Sequence, residues 1–318
     1  MTGKTFTAVL LIANLRFVAF GYDFEGKWSK VLLPSAIAYS PTGTVYVADN
    51  HSIKRFTSTG VLLGNWGRFG SGDGEFSYPN GVALGPNGYV YVMDTGNNRV
   101  QYFTSNGSFL GKWGRRGPGK LEFEFPNDLS VSPTGTVYVA DTGTSVGFLT
   151  CRVQYFTSVG SFLGEWGRPG QGVGEFYFPT GICCDRSGKV YVVDSGNYRV
   201  QYFTRDGEFL GKWGKRGWGN GEFIGAYKIA AGPHYRIFVS DFDRHSIQYF
   251  SPTGSFVGKF GSYGTGNGLF DGPAGVTVSI TGARIYVCDN RNNRIQYFNR
   301  NSPAVNPTSL GKIRTLFE

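Results

Sequence analysis

The side chains with the most chemistry to offer are few. The chain has three histidines, His51, His234 and His245, and four cysteines, Cys151, Cys183, Cys184 and Cys288. A catalytic zinc asks for three protein ligands converging on one cavity. His51 and His245 each begin a His-Ser-Ile run at the same place in a repeated segment, which points to a recurring structural contact. His234 sits in a Pro-His-Tyr turn at the opposite end of the repeating unit, so the three imidazoles do not converge. No CxxC pair occurs, and the adjacent Cys183 and Cys184 send their side chains to opposite faces of an expected strand. The cysteines read as small buried apolar residues, not as a disulfide framework or a zinc site. HExxH and phosphate-loop patterns are missing, and the repeated GxGxGxF segments do not lead into helices. These observations predict a non-catalytic protein with no metal and no cofactor.

A second group of residues speaks of binding. Directly after each Trp-Gly come Arg68, Arg115 and Arg116, Arg168, and Lys215 and Arg216, with Ser262 interrupting the series. Lys and Arg total 31 against 22 Asp and Glu, a net charge of +9. Such a balance favours anionic partners without identifying one. Trp218 stands outside the regular Trp series, in a linking loop, and with Phe69 and Tyr263 offers an aromatic platform beside the basic residues. The expected binding set is therefore Arg68, Arg115, Arg116, Arg168, Lys215, Arg216 and Trp218. Its expected partner is a protein or an anionic polymer, either polysaccharide or nucleic acid.

What positions these residues is a repeat. The segment Tyr89–Gly114 recurs from end to end, and the Asp closing each YVxD marks its period: Asp49, Asp94, Asp141, Asp194, Asp241 and Asp289. Successive spacings are 45, 47, 53, 47 and 48 residues, the signature of one supersecondary unit copied along the chain. Each copy alternates apolar and polar residues in short β-branched and aromatic runs parted by Gly turns. In the second unit the expected strands are 81–84, 89–93, 100–104 and 109–113. Four antiparallel strands per period of this length make a propeller blade, which buries its two faces only against neighbouring blades. The fold class is all-β, a six-bladed β-propeller of four-stranded antiparallel blades. The recurrent Asp and the recurrent Arg (Arg99, Arg152, Arg199, Arg294) are expected to pair structurally, and the Trp series to fill space between outer strands.

The sixth unit lacks its fourth strand after Phe298, whereas Phe24-Glu-Gly-Lys-Trp28 matches Phe109-Leu-Gly-Lys-Trp113 at four of five positions. Residues 22–30 are thus expected to close the last blade, with Ser309–Ile313 as a second candidate. The propeller then spans 22–300, likewise expected as a monomer, and 301–318 form a tail. Residues 1–21, with Lys4, an apolar run and Ala19-Phe20-Gly21, outline a secretory signal or leader, too short and interrupted for a membrane span. Secretion or residence in the cell envelope or periplasm is expected, with a cytoplasmic location as the alternative.

The repeat resembles the NHL repeat. The resemblance rests on Phe-x-x-Pro-x-Gly-Val-Ala followed by Gly-x-Val-Tyr-Val-x-Asp-x-Gly-Asn-x-Arg-Val-Gln-x-Phe, read at Phe76–Phe103, and on its echoes at 178–203 and 292–296. It implies a propeller, commonly six-bladed, of the kind bacteria also secrete. Among relatives of this kind are protein-interaction domains, RNA-binding domains, extracellular sensor domains and a zinc-dependent lyase. With the histidines misplaced for the lyase, the expected function is a non-catalytic scaffold binding protein or ligand through a basic loop face. RNA binding is the alternative, and a metal-dependent lyase or hydrolase the least favoured.

Overall fold

In a computed structural model, residues 21–143, 150–233 and 236–301 are described. The expected leader, the tail, His234 and most of the third unit's enlarged loop lie outside them. Six four-stranded antiparallel sheets form six blades. In blade two the strands are Gly81–Leu84, Val90–Asp94, Arg99–Phe103 and Phe109–Trp113, in that order from the axis outward. The inner strands of the others are Pro34–Tyr39, Pro126–Val131, Pro179–Cys184, Ala226–Gly232 and Pro273–Val278. Each inner strand abuts the next, and the sixth abuts the first, so the ring closes. Tyr22–Trp28 forms the outer strand of blade six, paired antiparallel with Arg294–Arg300 from Tyr22↔Arg300 to Trp28↔Ile295.

The core lies between blades. Tyr91, Val100 and Trp113 of blade two interleave with Phe123, Val137 and Phe156 of blade three. Buried tyrosines satisfy their hydroxyls on the neighbouring blade's hairpin, Tyr91 donating to Ser158 O at 3.0 Å and Tyr138 to Arg205 O at 2.9 Å. The turn glycine of each hairpin lies under the preceding blade's tryptophan. At Gly107, φ is +91° and a Cβ would meet the Trp66 ring at 2.7 Å, so only glycine fits.

The recurrent Asp and Arg are paired in four of the six repeats. Asp94 is fully buried and accepts from Ser77 N, Asn97 Nδ2, Arg99 Nε at 2.7 Å and Gln101 Nε2 at 3.1 Å. Arg99 then donates to the carbonyls of Ser71, Gly72 and Glu75, pinning the Gly-rich link over the blade. Asp194 with Arg199 and Asp289 with Arg294 repeat the arrangement.

Candidate active site

The start of each inner strand pairs with the Asp that ends the second strand, as in Pro126↔Asp141 and Pro179↔Asp194. All six inner strands therefore begin at the face that carries the links and the loops between strands two and three. A cavity of about 270 Å³ occupies the axis. Its girdle is one branched aliphatic per blade: Ile37, Val82, Leu129, Ile182, Ile229 and Val276. Away from the link face the lining becomes half-buried, at Tyr39, Leu84, Val131, Cys184, Ala231 and Val278.

Toward the link face the wall turns polar. One repeat position near the start of the inner strand is Ala36, Gly81, Gly181 or Gly275 in four blades, but Asp128 in blade three and Lys228 in blade five. The small residues are required there: a Cβ on Gly81 would meet Asp128 Oδ1 at 2.8 Å, and one on Gly181 would meet Tyr227 O at 2.6 Å. Asp128 and Lys228 are both buried, with Lys228 Nζ 3.5 Å from Asp128 Oδ2. Lys228 Nζ also donates to Asn127 O at 2.7 Å, Asn127 Oδ1 at 2.9 Å and Thr180 O at 3.3 Å. Asp128 accepts the N–H groups of Leu129 at 3.0 Å and Ile182 at 3.3 Å. Burial pushes the Asp128 carboxyl up to about 6, against the pull of the Lys228 charge. Burial likewise lowers the Lys228 amine to about 8, with Asp128 opposing the shift. Above this pair the Tyr227 hydroxyl accepts Asn80 Nδ2 at 2.9 Å, a hydrogen bond from blade five to the opposite blade two. Tyr227 is half-buried, and burial raises the pKa of its phenol.

An acid and a base brought toward neutrality at the wall of an apolar cavity are the equipment of proton transfer. The four thiols are free; burial raises that of Cys184 to about 12, so it is no nucleophile at neutral pH. Among the described residues, no group of three or more His, Cys, Asp or Glu is arranged to hold a metal, and no helix is long and apolar enough to cross a membrane.

The basic residues singled out in the sequence occupy the links of the same face. Each has an acidic neighbour: Arg68 with Glu75 at 2.7 Å, Arg115 with Glu122 at 2.8 Å, Arg116 with Glu124 at 2.9 Å, Arg168 with Glu175 at 2.8 Å and Lys215 with Glu222 at 3.1 Å. Arg216 instead lies over the Tyr198 ring, 5.4 Å from its centroid, and Trp218 is 68% exposed. Most are spread one or two to a blade; Lys215 and Arg216 share a cleft with Lys212. Sequence reasoning missed Asp128 and Lys228, although a signal was there: opposite charges at one repeat position that otherwise carries only Gly or Ala.

The NHL repeat family matches residues 76–103, 176–203 and 270–298, covering segments of blades two, four and six. The comparison with curated proteins finds no match. Among solved structures, the chain is similar to virginiamycin B lyase from Staphylococcus aureus, at 16% identity over 83% of this chain and 79% of that one, with a TM-score of 0.57. A streptogramin B lyase matches at 13% identity over 89% and 98%, TM-score 0.59. A gluconolactonase from Xanthomonas campestris matches at 14% identity over 86% and 88%, TM-score 0.62. These neighbours overturn the expectation of a non-catalytic scaffold, because the propellers resembling this chain are enzymes. A histidine count does not register the buried Asp128–Lys228 pair, which two inner strands far apart in the chain bring together. Repeat, blade order and family match agree: this chain is a six-bladed β-propeller that carries NHL repeats in three of its blades.

Proposed function

We propose that the chain is a lyase that opens a carbon–oxygen bond of an ester or lactone by elimination in its central channel, with Asp128 as base and Lys228 as acid. The observation carrying this reading is the buried Asp128–Lys228 pair in the cavity wall. With the carboxyl at about 6 and the amine at about 8, both groups are ionised between those values. The carboxylate then takes a proton from the carbon next to an activating carbonyl, a carbon–carbon double bond forms as the carbon–oxygen bond breaks, and the ammonium protonates the departing oxygen. The aliphatic girdle keeps the apolar body of the substrate dry, which favours elimination over addition of water. The lyases and the lactonase give the reading its precedent on this fold.

The test is a panel of lactones and cyclic depsipeptides, virginiamycin B among them, followed by ultraviolet absorbance of the new double bond. A bell-shaped kcat/KM with limbs near 6 and near 8 is expected. Asp128→Asn and Lys228→Met should each lower it by about 10²–10⁴-fold with the sheet signal in circular dichroism retained. Absence of turnover across the panel, or turnover that survives both substitutions, rejects the proposal.

A further inference from the structure

Blades two and four present the same surface with different charges. In blade two, Lys112 reaches Asp73 at 2.5 Å and Arg116 reaches Glu124 at 2.9 Å. The repeat places Lys212 and Arg216 at the equivalent positions, but Val173 stands in place of Asp73 and Ile224 in place of Glu124. Both acidic partners have been replaced by apolar residues while both cations are kept. Among the described residues, neither Lys212 nor Arg216 has an ion-pair partner, and both are exposed. With Lys215 they line a cleft of about 510 Å³ that also includes Gln171, Asn197 and Tyr198. Arg199, which also lines it, is held by the buried Asp194, and the other three cations face one carboxylate, Glu222, 3.1 Å from Lys215.

We propose that this cleft binds a phosphate monoester, the dianionic phosphate lying among Lys212, Lys215 and Arg216 and the body of the molecule against Tyr198 and Trp213. A dianion draws on more than one cation, and the planar guanidinium suits two phosphate oxygens at once. The cleft has the size of a small-molecule site, which runs to about 300–1,000 Å³. A polyanion would need a continuous basic track. Here Glu75, Glu122 and Glu175 pair with Arg68, Arg115 and Arg168 in the links of other blades, which interrupts such a track. The site is separate from the channel and does not depend on the lyase reading.

Calorimetric titration with glucose 6-phosphate, inorganic phosphate, glucose and oligouridine RNA tests it. The sugar phosphate is expected to bind saturably and more tightly than inorganic phosphate, and glucose not at all. Lys212→Ala and Arg216→Ala should each weaken it by at least about tenfold, the worth of a charge-assisted hydrogen bond. Lys112→Ala, in the sealed blade two, should leave it unchanged. Val173→Asp with Ile224→Glu rebuilds both blade-two ion pairs and should abolish binding with the thermal midpoint maintained. The proposal is overturned by equal affinity for inorganic phosphate, by affinity indifferent to Lys212 and Arg216, or by salt-sensitive binding of RNA alone.

Discussion

The imidazole of His245 accepts the backbone N–H of Gly272 through Nδ1 at 3.1 Å, tying a loop of blade five to the entry of blade six. His51 does the same for Tyr78 at 3.2 Å, Asn98 Oδ1 for Phe125 at 2.9 Å and Asn293 Oδ1 for Leu33 at 2.8 Å. The two histidines are thus blade-to-blade clasps with the same duty as the asparagines. His245→Ala should cost about 1 kcal/mol, and His245→Asn much less, since the amide oxygen can take the same N–H. Urea unfolding of the two variants checks this; equal losses would remove the clasp.

The channel pair is expected to weaken the fold it serves. Asp128, raised to about 6, holds its proton to higher pH in the folded chain than in the unfolded one, so its contribution is lost as pH rises through about 6. Lys228, lowered to about 8, sheds its proton earlier when folded, so stability recovers as pH rises above about 8. Asp128→Leu with Lys228→Met should therefore be neutral or stabilising by about 1–4 kcal/mol near pH 7, with a flatter pH profile. Lys228→Met alone should cost about 3–5 kcal/mol through the charge it strands. Denaturant midpoints across pH decide between these outcomes.

Gly181 lies where the inner strands of blades four and five approach closely. A methyl group there would meet the Tyr227 carbonyl at 2.6 Å and the Lys228 Cα at 3.0 Å, backbone atoms that yield only if blade five shifts. Gly181→Ala should destabilise by about 1–3 kcal/mol. It should also alter the near-ultraviolet signal of Tyr227 more than Gly188→Ala, a position with open space around it but φ of +87°.

Tyr22–Trp28 is the last strand of a blade whose other three come from the far end of the chain. Trp28 packs on Phe56, Tyr286 and Tyr297, so one ring bridges blades six and one. Truncation to Glu25 should expose the edge of Arg294–Arg300 and lower the thermal midpoint sharply. Trp28→Ala in the intact chain should cost about 3–5 kcal/mol. A midpoint unchanged by either would mean that the ring holds without its clasp.

The blades were legible because their demands repeat. Asp94, Arg99 and Trp113 meet the same surroundings in nearly every unit, so period, strand order and closure by the first strand stand out in the chain. The channel pair was not, because it consists of two departures from the repeat, Asp128 and Lys228, one hundred residues apart. Each alone resembles drift at a position of small residues; only the closed ring sets them 3.5 Å apart. The link-face cations were visible as a pattern, while their pairing with glutamates seven or eight residues onward follows from how each Gly-rich link folds back on itself.

The bond from Tyr227 to Asn80 gives the wheel a spoke. A ring of blades with a hollow hub is free to ovalise along any diameter, whereas one braced from blade five to blade two has lost that freedom along one of them.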